Sequence, residues 1–373
     1  MTLARTFALT LILVLAALPA TEWKLALPGY RYAFPADHFS HPQFQTEWWY
    51  FTGNLQAADG GEYGYELTFF RQGRNAQPTM AENRWDTGQL YLAHLAFTDI
   101  GGNRFRHSER LNRGGPGLAG ADEKTRKIWN GNWSVRLTGT HDWKLEAVHA
   151  DFTLRLDLSS EKQPVLHGEN GVHQKSAGVG KASHYISLTR LRTTGEIVLE
   201  GKRMQVRGSS WMDHEFFTHS MAGDQTGWDW FAIQLDDGTE LMLYRLRRRD
   251  GSIEPLSGGT FVDRSGQTTR LRLEDFSLRQ TGTWTSPESG ANYPVEWEIA
   301  VPRAGLKLSA KPRIQAQELR SERKIGPSYW EGAMRFEGTR EGKPVQGAGY
   351  LELTGYADEV DLSGGAKRGG MTR

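Results

Sequence analysis

The stretch GWDWFAIQLDDGTELMLYRL, residues 227–246, carries the clearest fold signal in the chain. Two runs of aromatic and aliphatic residues flank Asp236-Asp237-Gly238, which is the turn chemistry of a β-hairpin. Strands this short, separated this regularly by turns, are typical of a β-sandwich or β-barrel. The same arrangement recurs upstream in two more pairs of runs, 46–55 with 63–70 and 89–98 with 104–111.

Composition restricts the class of protein further. The 45 basic and 44 acidic side chains give a net charge of +1, so we expect no nucleic-acid partner. Cysteine is absent, which excludes disulfides, thiolate catalysis and cysteine-based zinc sites. The 43 glycines, with 13 Trp, 12 Tyr and 16 Phe, favour sheets over helical bundles. The nearest candidate for an amphipathic helix is the short segment 121–129.

The first twenty residues have the layout of a secretory signal. Arg5 precedes a mostly apolar run, residues 7–18, which is followed by Pro19 and Ala20. This run is too short for a stable membrane anchor, and no cysteine follows it to carry a lipid. We therefore expect residues 1–20 to be removed and the protein to be periplasmic or secreted, without a stable membrane anchor. The alternative is a buried N-terminal helix.

At 373 residues the chain is long enough for two domains of ordinary size. The segment THSMAGD, residues 218–224, separates two strand-rich halves. We predict an N-terminal domain over 30–220 and a C-terminal domain over 221–360. The glycine-rich tail, 361–373, is predicted to be disordered.

Asp229 is an unexpected charged residue in the hairpin predicted over residues 227–246. Successive side chains of a strand point to opposite faces, so Asp229 shares a face with Phe231 and Leu235, opposite Trp228 and Trp230. Burial of that face would raise the pKa of Asp229 and keep a proton available for general acid catalysis. The alternative is a structural carboxylate satisfied by the backbone or an arginine.

The segment SSWMDHEFF holds a second group of candidates. Trp211, Asp213 and Glu215 share one face, and His214 lies on the other. Two neighbouring carboxyl groups disfavour joint ionisation and could act as acid and base. The alternative is a charged strand end at a domain boundary. A metal site formed by these residues with His184 lacks any supporting spacing, so we expect no metal.

Aromatic residues supply candidate walls for a ligand. In QTEWWYF, Glu47 shares a face with Trp49, while Trp48 shares the other with Tyr50. Such rings suit ligand contact and can stabilise a cation, although core packing explains any single ring equally well. His94, on an apolar face, is expected to be a satisfied core residue. The candidate ligand-binding residues are Glu47, Trp48, Trp49, Tyr50, His184, Tyr185, Trp211, Trp228 and Trp230.

Five segments together resemble a known family. They are FPADHFSHPQFQTEWWYFTGNL, SHYISLTRL, SSWMDHEFF, GWDWFAIQLDDGTELMLYRL and GYLELTGY. They are similar to the AttH-like family, which includes the carotenoid 1,2-hydratases and kievitone hydratase, and the similarity spans 30–356. The resemblance implies an all-β fold of two lipocalin-like antiparallel β-barrel domains packed side by side. It also implies water addition to a carbon–carbon double bond with an acidic proton donor.

These observations favour an exported hydratase acting on an apolar, isoprenoid-like small molecule in an aromatic pocket at the domain junction, without a cofactor. We expect Asp229 or Asp213 to donate the proton and Glu215 or His214 to activate water. Glu47, Asp213, His214 and Asp229 should then lie close together. The alternatives are a non-catalytic carrier of a lipid or terpenoid and a secreted hydrolase, for which the sequence shows no nucleophile elbow.

Overall fold

The computed structural model describes residues 22–74, 76, 88–115, 117–321 and 326–360. The predicted leader and tail therefore lie outside the described residues. Within these ranges the chain forms β-strands and three single-turn 3₁₀ helices, and the predicted all-β class is confirmed. None of the described segments is a helix long and apolar enough to cross a membrane. The 3₁₀ helices are Ala36–His38, Leu273–Asp275 and Pro302–Ala304.

The first half of the chain forms an antiparallel sheet in the order β4-β3-β2-β1-β13-β12-β9-β8-β7-β6-β5, with β10 and β11 paired to β12. The two ends of this order approach one another, because Asn112 on β4 donates to Asn130 on β6 at 2.6 Å. The sheet is therefore nearly a barrel. Its strands are β1 Thr46–Ala57, β2 Glu62–Gly73, β3 Gln89–Asp99, β4 Arg104–Arg113, β5 Ala119–Asp122, β6 Lys127–Asn130, β7 Trp133–Leu137, β8 Trp143–Val148, β9 Phe152–Ser160, β10 Val165–Leu166, β11 Val172–Gln174, β12 Ala182–Leu199 and β13 Lys202–Phe217.

The second half forms another antiparallel sheet, in the order β17-β16-β15-β14-β23-β22-β20-β19-β18, with β21 paired to β22. The first sheet ends at Phe217 and the second begins at Gln225, and the predicted boundary falls between them. The strands are β14 Gln225–Leu235, β15 Glu240–Arg248, β16 Gly258–Val262, β17 Thr268–Arg272, β18 Ser277–Thr285, β19 Asn292–Val301, β20 Leu306–Pro312, β21 Glu318–Leu319, β22 Tyr329–Arg340 and β23 Lys343–Leu353.

The three predicted hairpins are confirmed as β1–β2, β3–β4 and β14–β15. The segment 121–129 is not a helix. It spans the turn between β5 and β6, where the Asp122 side chain accepts the backbone N–H groups of Lys124 and Thr125, each at 3.2 Å. This local carboxylate cap favours the turn over continuation of a helix.

Each sheet curves around its own apolar core. One core contains Trp49, Phe51 and Leu67, and the other contains Phe231 and Trp297. A third buried cluster joins residues of both halves and lies between the sheets, and its members are Tyr50, Tyr185, Trp211, Trp230, Ala232, Met242, Tyr244, Leu246, Ala333 and Tyr350. The molecule is therefore two lipocalin-like halves packed side by side through the outer faces of their sheets.

Candidate functional site: a cavity between the two sheets

A mostly apolar cavity lies at the junction of the halves. Its volume is about 410 Å³, within the range that encloses small organic ligands. Trp48 and Tyr50 of the first half line it, together with Trp228, Trp230 and Tyr329 of the second. This cavity therefore lies outside both barrel interiors.

Strand pairing arranges the wall from the first sheet. His94, Thr68, Tyr50 and Asp213 are directly paired on the neighbouring strands β3, β2, β1 and β13, and all four line the cavity. Because residues two apart share a face, a second row follows beside the first. It consists of Leu92, Phe70, Trp48, Glu215 and Tyr185.

The wall from the second sheet is built in the same way. Trp230, Glu352 and Glu331 are directly paired on β14, β23 and β22, and all three line the cavity. The Tyr50 ring packs edge-on against Trp230, with centroids 5.2 Å apart. Carboxyl groups from both halves thus face one mostly apolar space.

Asp213 sits in a network of donors on the first wall. Its oxygens accept hydrogen bonds from Tyr185 at 2.5 Å, Trp211 at 2.6 Å and Ser187, while Trp230 donates to the Tyr185 hydroxyl at 3.1 Å. Burial raises the pKa of Asp213 to about 7, against these hydrogen bonds, which lower it. A carboxyl group with this pKa can hold or release a proton near neutral pH.

Glu215 lies one row away on the same face and has a different environment. Its carboxylate pairs with Lys175 at 3.1 Å and accepts a hydrogen bond from Ser183. The Lys175 ammonium also lies 5.1 Å from the centre of the Tyr185 ring. The neighbouring carboxyl groups Asp213 and Glu215 therefore have unequal surroundings, as an acid and a base require.

Sequence reasoning missed three further buried carboxyl groups. Burial raises the pKa of Glu66 and Glu352 to about 8, and burial with the charges of those two raises the pKa of Glu331 well above its usual value. Two of them were detectable, because Glu331 alternates with Tyr329 in YWEGAMRF, and Glu352 alternates with Tyr350 in GYLELTGY. Alternation with aromatic residues on one strand face was the available signal.

Asp229 does not face the cavity. It lies in the interior of the second half, on the face of Phe231, as strand alternation requires. Its oxygens are occupied by Arg245 at 2.7 Å, by Arg247 and by the Tyr356 hydroxyl at 2.8 Å. This geometry is that of the structural alternative and not of the proton donor to a ligand in the cavity.

Glu47 and His214 lie in the interior of the first half, on the opposite face from Asp213. Glu47 contacts Arg71 at 2.8 Å, His41 at 2.7 Å and His214 at 2.9 Å. Burial opposes ionisation, but Arg71 and His41 hold the pKa of Glu47 well below its usual range. Glu47, Asp213, His214 and Asp229 consequently do not form the single site that was predicted.

The remaining predicted ligand residues divide between the two faces in the same way. Trp49 stacks on His214 in the first-half interior, with centroids 5.0 Å apart. His184 packs against Tyr30 and Phe216, also away from the cavity. Trp211 belongs to the buried cluster between the sheets, where it donates a hydrogen bond to Asp213 and packs edge-on against Trp230 without lining the cavity itself. The predicted residues that line the cavity are Trp48, Tyr50, Tyr185, Asp213, Glu215, Trp228 and Trp230.

Within the described ranges, one trio of side chains brings its ligand atoms close enough for a metal, namely His41, Glu47 and His214. The Arg71 guanidinium already neutralises Glu47 in this trio. A metal ion bound by Glu47 would lie close to this positive charge, so the charges do not favour a metal.

The comparisons with known proteins agree with this architecture. The sequence profile of the AttH-like family matches residues 25–356. The chain belongs to the AttH-like family. Among solved structures, this AttH-like chain is similar to a candidate AttH from Nitrosomonas europaea, with 32% identity and a TM-score of 0.80 over 89% of this chain and 98% of that one.

Kievitone hydratase from Nectria haematococca shares the fold of this AttH-like protein, with 15% identity and a TM-score of 0.67 over 88% of this chain and 93% of that one. CghA solved with Sch210972 shares it at 12% identity and a TM-score of 0.51, over 91% and 97% of the two chains. No curated protein sequence matches the chain.

Proposed function

We propose that this AttH-like protein is a hydratase that adds water to a carbon–carbon double bond of a largely apolar small molecule. The observation that carries the proposal is an aromatic cavity enclosing buried carboxyl groups with raised pKa, above all Asp213. Alkene protonation needs such an acid in a space that excludes water. Family membership and the fold shared with kievitone hydratase support the same chemistry.

The reaction needs one donor and one acceptor of protons. The Asp213 carboxyl group gives its proton to one alkene carbon, which breaks the π bond and leaves a carbocation at the other carbon. The π faces of Trp228 and Trp230 stabilise that cation. A water molecule then bonds to the cationic carbon and loses a proton to Glu215. Return of this proton to Asp213 restores the enzyme, and the net change is addition of one water.

Oxygen-18 water provides the test. Purified protein is incubated with a panel of isoprenoid alkenes, and mass spectrometry detects a product carrying one oxygen-18 and two added hydrogens. Asp213→Asn should lower this rate by about 10²–10⁴, the usual contribution of general acid catalysis. Asp59→Asn, at an exposed position paired with Lys202, is the matched control and should leave the rate unchanged.

The non-catalytic carrier is the competing function, because the same cavity would hold an apolar molecule without converting it. Stoichiometric binding of an alkene that is recovered unchanged from the wild-type protein across the panel would favour the carrier. Equal turnover by Asp213→Asn and wild type would remove Asp213 as the donor.

Export remains part of the proposal. Its support is the charged, apolar and small-residue layout of residues 1–20.

A further inference from the structure

Two tyrosines reach across the seam in opposite directions. Tyr50, from the first half, donates a hydrogen bond to Glu331 Oε1 of the second half. Tyr329, from the second half, lies with its hydroxyl 2.7 Å from His94 Nδ1 of the first half. Glu331 and His94 both line the cavity, so each is held in place by a tyrosine of the other half.

The Glu331 carboxyl group has one occupied and one free oxygen. Oε1 accepts from Tyr50, whereas Oε2 is buried and has no hydrogen-bond partner among the described residues. Burial and the charges of Glu66 and Glu352 raise the pKa of Glu331 well above its usual value, so the group is protonated at neutral pH. Because Oε1 is the acceptor, the proton belongs on Oε2, which becomes a donor.

His94 has the same incomplete pairing. Burial lowers its pKa to about 3, so the ring is neutral at neutral pH. Donation from the Tyr329 hydroxyl to Nδ1 satisfies both of these groups and places the ring proton on Nε2. Nε2 is buried and, in the described part of the chain, has no partner. The sequence-based expectation of a fully satisfied core histidine therefore does not describe this ring.

We propose that Glu331 Oε2 and His94 Nε2 form a head-group subsite, which binds a neutral carbonyl oxygen of the ligand. Buried donors without acceptors are costly, and a ligand oxygen removes that cost. The ligand is then an amphiphile with an apolar body along the tryptophans and one carbonyl group at this subsite. This inference rests on the proposed function only in placing an alkene within the apolar body of the ligand.

The charges around the subsite exclude other head groups. A ligand carboxylate would have to lose its hydration in a space where burial already keeps Glu331 and Glu352 protonated. A ligand ammonium would lack an acceptor, because Oε2 and Nε2 both present protons. A neutral acceptor oxygen matches both donors.

Three probes with the same carbon skeleton test the subsite. These are the hydrocarbon farnesene, the aldehyde farnesal and the amine farnesylamine, and Kd is measured from quenching of the cavity tryptophans. Farnesal should bind about tenfold more tightly than farnesene, equivalent to about 1.4 kcal/mol. Glu331→Leu should reduce this preference to about threefold or less, because its side chain cannot donate. Glu331→Gln should retain it, because the amide supplies both a donor and an acceptor.

Glu337→Leu is the matched control, since Glu337 is an exposed residue of the same strand, and it should leave the preference unchanged. Equal affinity of wild type for farnesal and farnesene would overturn the subsite, as would a preference for farnesylamine that Glu331→Leu abolishes. An unchanged preference in Glu331→Leu would also overturn it. The oxygen-18 assay separates the two proposals, because a retained carbonyl preference without any hydration contradicts only the hydratase.

Discussion

The Tyr50 hydroxyl donates to Glu331 Oε1, and this hydrogen bond joins the two sheets in the wall of the cavity. Tyr50 is paired with Asp213 on the neighbouring strand, and Glu331 is paired with Glu352 on the opposite wall. Neither half therefore contains the complete site.

The first prediction concerns the pH dependence of turnover. Asp213 must be protonated to donate, and its pKa of about 7 places the active form below neutral pH. Because this pKa belongs to the ligand-free protein, the ratio kcat/KM should fall about tenfold per pH unit above that value. A stopped assay across pH 5–9 on the best alkene of the panel measures this profile.

Tyr185→Phe provides the control for that assignment. The hydrogen bond from Tyr185 lowers the pKa of Asp213, so its removal should move the falling limb to higher pH. If activity falls at the same pH in this variant as in wild type, a group other than Asp213 controls the pH profile.

The second prediction is that Asp229 stabilises the fold. Asp229→Asn leaves the partly exposed side chains of Arg245 and Arg247 without their counter-charge, and it should cost about 2–4 kcal/mol of unfolding free energy. Chemical denaturation of wild type and variant measures the difference. An undiminished stability combined with a loss of turnover would return Asp229 to the role of proton donor.

Asp229 also shows how far the sequence alone could predict this site. Strand alternation correctly placed Asp229 on the same strand face as Phe231, with Trp228 and Trp230 on the opposite face. Both faces of β14 are buried, however, one in a barrel core and one against the other sheet. Periodicity separates two faces but does not reveal which of two buried faces meets a ligand. Turn and strand signals were enough to predict the all-β class, whereas the pair of lipocalin-like barrels was predicted from the family resemblance.

The carboxyl groups of the second wall illustrate the other limit. The pKa of Glu331 depends on Glu66, which is far away in sequence and reaches it only after the two sheets pack. No local pattern encodes such a contact. Asp213 and Glu215 could be proposed because they are two residues apart on one strand.

The third prediction concerns the buried ion cluster of the first half. Glu47→Gln removes the carboxylate that neutralises Arg71, whose side chain is fully buried. Breaking such a pair should cost about 3–5 kcal/mol, more than Asp229→Asn, whose arginines are partly exposed. Thermal unfolding of the two variants under one condition compares them. A midpoint for Glu47→Gln equal to wild type would contradict the assignment of this cluster to stability.

The fourth prediction is removal of the leader. Expression of the full chain with its own N-terminus should yield a protein that lacks about the first twenty residues, because residues 7–18 form the apolar part of a secretory signal. Intact-mass measurement on the periplasmic fraction determines the cleavage point. Recovery of the uncleaved chain from the cytoplasm alone would contradict export.

The last prediction uses Glu66, whose pKa is raised by burial to about 8 in the folded protein and stays near 4.5 in the unfolded chain. Between these two values the folded state binds more protons than the unfolded state, so this group's contribution to stability is complete below about pH 4.5 and is lost as the pH rises towards 8.

Buried histidines such as His94, with lowered pKa, act in the opposite direction, and wild-type stability alone therefore does not isolate the effect. Glu66→Gln removes the titration and keeps an acceptor for the Thr68 hydroxyl. The unfolding free energy of the variant relative to wild type should then rise by roughly 2 kcal/mol or more from pH 5 to pH 8. A difference that is constant with pH would show that folding does not raise the pKa of Glu66.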